Sequence, residues 1–162
     1  MELVAVAAVD DTLAIGRDGE LPWPSLPADT RQYRARVGEG IVILGRRTFE
    51  SMLDDLPGRV QIVLSRHAYD PPVVSARHAP DVASAIELTE RYGDAVAYVL
   101  GGAAVYEAFL PHLDRLVLSR VPGEHAADAF FPAWDRSTWR LVRTTAFEGF
   151  ILEEWVRRDE AP

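Results

Sequence analysis

Cysteine is absent from this 162-residue chain, which excludes disulfides and thiolate chemistry. Lysine is absent as well: all 17 basic residues are arginine, set against 25 acids for a net charge of −8. That balance argues against nonspecific nucleic-acid binding, which depends on neutralising phosphates. Three backgrounds would produce it: adaptation to concentrated salt, a GC-rich genome favouring arginine codons, or an ordinary acidic enzyme. The four histidines, His67, His78, His112 and His125, stand apart without ligand spacing, so no metal site is expected. No apolar run reaches membrane-spanning length and no basic-then-apolar leader opens the chain, so a cytoplasmic protein without a membrane partner is expected. Repeats, low-complexity runs and linkers are missing too. Residues 1–162 therefore read as one domain whose core needs no metal or disulfide support.

What is present alternates between two periods. Residues 3–9, 40–44, 60–64, 95–100 and 116–121 are short apolar runs that read as buried strands. Between them lie helical patterns over 28–37, from Thr48 as cap to Leu53, from Asp81 as cap to Gly93, and over 103–110 before Pro111. Leu56-Pro57-Gly58 reads as a turn, and Glu148-Gly149 as the turn of a hairpin between residues 140–147 and 150–156. This is an α/β pattern with a mostly parallel sheet and an antiparallel end.

The segment from Ile15 to Arg36 carries the most chemistry. A loop with Gly16, Gly19, Pro22 and Trp23 runs into a helix opened by Pro27, a residue suited to the first helical position. Asp29 falls in the first turn and Tyr33 four residues on, so a carboxylate and an aromatic ring share one helix face. Such a pair can grip a flat polar heterocycle. Further on, Gly45-Arg46-Arg47-Thr48 joins a buried strand to a helix, where backbone N–H groups and a basic pair suit an anion, although a solvated surface turn is the plainer reading. Gly101-Gly102 follows another strand and opens a helix through Ala103, Ala104, Val105 and Tyr106, letting backbone approach a ligand closely. The third glycine of the G-x-G-x-x-G dinucleotide fingerprint is missing there.

Leu21-Pro22-Trp23, Leu26-Pro27-Ala28-Asp29, Tyr33 and the Gly101-Gly102 turn, in that order, resemble the dihydrofolate reductase family. The resemblance implies an eight-stranded sheet with four flanking helices. It also implies hydride transfer from NADPH to C6 of dihydrofolate, with a proton reaching N5. Asp29 would hold the pterin and Trp23 an ordered water, while Val6, Ala7, Tyr33, Met52, Leu100 and Ser119 would line the substrate pocket. Arg59 would pair with the α-carboxylate of the glutamyl tail, more weakly than usual because Asp54-Asp55 precede it. Residues Ala14, Ile15, Gly16, Arg17, Asp18, Gly19, Glu20 and Leu21 would form a mobile lid over the cofactor, reached also by Ala8. Gly45, Arg46, Arg47 and Thr48 with Leu64, Ser65 and Arg66 would bind its phosphates, and the Gly101–Tyr106 turn, with a cis Gly–Gly bond, would complete the site. Gly123 to Pro132 resembles a loop that bonds to the lid, but Ala127 and Ala129 stand where the family has glycine and threonine, which puts those bonds in question. A monomer open to antifolate inhibitors is expected. Three alternatives remain at this point: a reductase of a modified pterin, the pyrimidine reductase of riboflavin synthesis, and a noncatalytic nucleotide sensor.

Overall fold

The computed structural model describes residues 1–158. Its centre is β1 (Glu2–Val9), whose alternate side chains feed two cores. Leu3, Ala5, Ala7 and Val9 pack on one face of the sheet, Val4 and Val6 on the other. Seven further strands join it: β3 (Ile41–Gly45), β4 (Val60–Leu64), β5 (Ala76–Ala79), β6 (Val96–Val99), β7 (Arg115–Arg120), β9 (Trp139–Phe147) and β10 (Phe150–Arg157). Their order is β5-β4-β3-β6-β1-β7-β10-β9, parallel except for the last two strands. Two short strands, β2 (Ala14–Gly16) and β8 (Ala129–Phe130), pair separately.

Four helices flank the sheet: α1 (Pro27–Val37), α2 (Arg46–Ser51), α3 (Val82–Glu90) and α4 (Ala103–Phe109). Asp81 caps α3 as expected, its Oδ1 accepting from Ser84 N at 2.7 Å. Thr48 does not cap α2. That helix starts two residues earlier, because Gly45 in extended conformation already turns the chain, and Thr48 lies inside it. β5 was not foreseen: Ala-Arg-His-Ala has no apolar run, and its place is set by pairing with β4.

Helix α1 is polar, with Val37 its one buried residue, so apolar burial contributes little to holding it. Polar tethers do that work. Arg36 Nη1 reaches Glu154 Oε1 on β10 at 3.3 Å, and Arg34 Nη2 donates to the Asp55 carbonyl at 2.8 Å. Pairs this close to solvent each contribute about 1 kcal/mol or less, so the helix is oriented by several contacts rather than by one.

Gly58 ends the turn ahead of β4 at φ +74, and a Cβ there would meet the Gly40 carbonyl oxygen at 2.6 Å. Neither strand can retreat without breaking the β3–β4 ladder. Gly58→Ala is therefore expected to lower stability by about 2–4 kcal/mol in denaturant titration; an unchanged midpoint would contradict this packing.

Candidate active site

The carboxyl ends of β1, β6 and β3 open on one cleft with two lobes, the usual ligand position in an open α/β sheet. The smaller lobe, about 280 Å³, is lined by Val6, Ala7, Ala8, Leu21, Asp29, Thr30, Tyr33, Met52, Leu100 and Tyr106. The larger, about 520 Å³, adds Ile15, Gly16, Gly19, Glu20, Thr48, Ser51, Gly102, Ala103 and Ala129. Ala7, Ala8, Leu21, Met52, Leu100 and Tyr106 border both, so two ligands in the lobes would touch.

Asp29 is the acid of the smaller lobe. Its Oδ1 accepts from Ser119 Oγ at 2.5 Å and from Gln32 Nε2 at 3.0 Å. Ser119 sits on β7 and is itself buried, so the bond ties α1 to the sheet at the level of the carboxylate. Both donors fall on one oxygen, which leaves Oδ2 to face a ligand. Tyr33 shares the helix face as its i+4 position requires. Beneath both lobes the Tyr106 hydroxyl donates to the Val6 carbonyl at 2.6 Å. Burial, with the Asp29 and Tyr33 charges adding to it, pushes that phenol well up, so it stays a neutral donor.

The lid is more ordered than its glycines imply. Asp18 and Gly19 both take positive φ and form a two-residue turn closed by Arg17 N to Glu20 O at 2.8 Å and the return bond at 3.0 Å. The bonds from the 123–132 loop, placed in question by Ala127 and Ala129, are present. Asp128 N donates to the Gly16 carbonyl at 2.9 Å, and Asp128 Oδ2 accepts from Asp18 N at 2.9 Å. Backbone and a single carboxylate suffice for them.

Other expected positions divide between cleft, rim and core. Gly101-Gly102 is a cis bond, and Gly45 N donates to the Gly101 carbonyl at 2.8 Å, bringing the two glycine turns together. Arg46 and Arg47 stand exposed at the rim, and Leu64, Ser65 and Arg66 follow beside them because Leu64 pairs with Gly45. Ala14 and Val105 turn into the core, and Ala104 faces solvent. Trp23 is buried against the smaller lobe's side of the sheet, with its Nε1 lacking an acceptor among the described residues. Arg59 lines neither lobe: its guanidinium forks onto Asp94 at 2.7 and 2.7 Å and also donates to the Glu39 carbonyl at 2.8 Å. Gln32 was missed in the sequence, although its i+3 spacing from Asp29 was the signal for it. Asp10, fully buried at the end of β1, was missed too.

The cleft fits a dinucleotide. A Cβ on Gly102 would project into space bounded only by Thr48 Oγ1 at 3.6 Å, so backbone lies open to the larger lobe. Arg46, Arg47 and Arg66, beside the Gly45 and Thr48 edge of that lobe, have no carboxylate partner among the described residues and are exposed, so their charges are open to an anion. Fold and cleft together define a two-ligand α/β enzyme, an acid-bearing lobe beside a phosphate-tolerant one. The family model described as dihydrofolate reductase matches residues 2–149, and the chain belongs to that family. It is 36% identical to dihydrofolate reductase HdrB of Haloferax volcanii, over 99% of this chain and 86% of that one. It is 35% identical to dihydrofolate reductase 1 of Haloarcula marismortui, over 99% and 94%. Among solved structures, the dihydrofolate reductase of Enterococcus faecalis complexed with NADP(H) and RAB-propyl superposes with a TM-score of 0.79 at 30% identity, covering 98% of this chain and 97% of that one.

Burial alone would push the Asp10 carboxyl up, but donors from Thr12, Ala14 and His125 overcome it and hold it down at about 2. A carboxyl whose folded value lies below its unfolded one adds stability above the unfolded value and loses it as pH falls through the folded one. Acid titration should therefore show stability lost between about pH 4 and pH 2. Asp10→Asn should flatten that window and lower stability at pH 7 by about 1–3 kcal/mol; an unaltered acid limb would refute it.

Proposed function

We propose that Asp29 holds and polarises the substrate in the reaction this chain catalyses, the NADPH-dependent reduction of 7,8-dihydrofolate to tetrahydrofolate. The observation that carries this is a carboxylate fixed by Ser119 and Gln32 at the wall of a lobe otherwise apolar except for Thr30 and two tyrosines. A pterin presents adjacent N–H donors to such a group, and charge-assisted bonds of this kind fix a planar ring in orientation as well as in place. NADPH, when bound, supplies the hydride. The chain's own residues do the rest. Tyr33, Met52 and Leu100 enclose the flat ring; Ala7 and Ala8 are small enough to let it approach β1; Leu21 covers it from the lid and excludes water. The unmatched, buried Trp23 Nε1 is a donor that a water near the substrate would satisfy, which supports a water route for the proton to N5.

For the cofactor, Arg46, Arg47, Thr48, Ser65 and Arg66 are the residues we assign to its phosphates, a guanidinium being well matched to the phosphate that separates NADPH from NADH. The tail-binding role of Arg59 requires the α-carboxylate to displace Asp94 from a bidentate pair. We further read the protein as a monomer, since one chain builds the whole cleft, acting in the cytoplasm to supply one-carbon metabolism, with antifolates entering the smaller lobe. No helix among the described residues is long and apolar enough to cross a membrane.

Asp29→Asn keeps the shape and removes the charge. Turnover at neutral pH, followed at the nicotinamide absorbance band, should fall by about a hundredfold or more while NADPH binding persists; near-normal turnover would remove Asp29 from this role. The acidic surface and the haloarchaeal relatives favour salt adaptation. The melting temperature should then rise from low to molar KCl as screening relieves self-repulsion, and equal values in both would dismiss the idea.

A further inference from the structure

Asp10 receives donors from two separate segments. Thr12 N and Oγ1, both at 2.8 Å, and Ala14 N at 2.9 Å come from the stem of the lid and bind Oδ1. His125, from the loop between β7 and β8, binds Oδ2 twice, with its backbone N at 2.7 Å and its ring Nδ1 at 3.0 Å. An anionic acceptor at that distance fixes the proton on Nδ1 and, with the backbone bond, leaves the imidazole one orientation. In that orientation the ring meets Trp23 edge to face, with centroids 5.4 Å apart and planes at 71°. Trp23 lies at the far end of the same loop whose near end hangs on Asp10. One carboxylate and one imidazole thus join residues 12–14 to residue 23, across the base of the segment that covers the cleft.

We propose that His125 is a positioning residue of this site: its ring, oriented by the buried Asp10 carboxylate, sets the place of the Trp23 indole and holds the two ends of the lid in register. It touches neither lobe of the cleft, and it acts through Trp23. The proposal rests on the reductase reading above, and turnover by the unsubstituted protein tests that reading separately.

Two substitutions divide the contacts of His125. His125→Asn puts an amide donor where Nδ1 stands, so Asp10 stays satisfied while the ring beside Trp23 is lost. His125→Phe keeps a flat ring and loses the donor. The Asn variant should melt within about 2 °C of the parent, yet its kcat should fall about tenfold, because a displaced group beside the substrate costs rate and not stability. The Phe variant should melt several degrees lower, with kcat, at temperatures where it is folded, between those of the parent and the Asn variant, because a ring remains beside Trp23 but Asp10 no longer orients it. Parental kcat in the Asn variant would overturn the proposal. So would kcat falling in both variants only in step with their melting temperatures, since that is what a structural role alone produces.

Discussion

A carboxylate set against an apolar pocket must be paired, and the way Asp29 is paired governs this site. The Ser119 hydroxyl at 2.5 Å reaches it from the sheet and the Gln32 amide at 3.0 Å from its own helix. Both are neutral donors. They satisfy one oxygen without cancelling the charge, whereas an arginine in either place would have neutralised the group and occupied both oxygens. Ser119 also registers helix against strand, because β7 pairs with β1 so that Ser119 stands opposite Ala8. The acid and the small residues of β1 that line the same lobe are therefore located by a single ladder of backbone bonds.

The same economy shows in α1. A helix with one buried residue would drift on a purely apolar surface, and here it is oriented by Asp29–Ser119 near its start and by Arg34–Asp55 and Arg36–Glu154 in its last turn. These contacts act on separate elements, β7, the loop after α2 and β10, so they fix direction as well as distance. The lid follows a parallel rule on the other side. Its stem hangs on Asp10, its tip is a closed two-residue turn, and Asp128 bonds to Gly16 and Asp18 on the arm that leads into that turn. A cover built this way can move as a piece about its ends without losing its own shape.

Much of this was legible in the sequence, where local chemistry decides the outcome. Pro27 and Asp29 placed a helix start, the i+4 spacing put Tyr33 beside the acid, and Gly101-Gly102 marked a turn that brings backbone to the cleft. Harder to read was whatever depends on partners distant in the chain. β5 exists because β4 offers it a ladder, and nothing in Ala-Arg-His-Ala announces a strand. Arg59 read as a cation waiting for a ligand, yet Asp94, 35 positions away, takes both arms of its fork. The 123–132 loop lost two residues of its family pattern and kept its lid bonds, because Asp128 and main-chain groups make them and the lost side chains do not.

The charge distribution sets the two lobes apart. In a chain of net charge −8, eight of the 17 arginines have a carboxylate partner among the described residues, Arg34, Arg36, Arg59, Arg91, Arg115 and Arg120 among them. Arg46, Arg47 and Arg66 stay exposed at the rim of the larger lobe without such partners among the described residues. The Arg46 guanidinium lies over the ring of Tyr69, 5.8 Å from its centroid. Unpaired cations on an acidic surface form a local field that attracts anions more selectively than they would on a basic protein, because the surrounding surface repels them. The smaller lobe is the opposite case: the one carboxylate in its lining is Asp29, and no basic side chain lines it. The two lobes thus differ in charge, with exposed guanidiniums beside the larger and a lone carboxylate at the wall of the smaller.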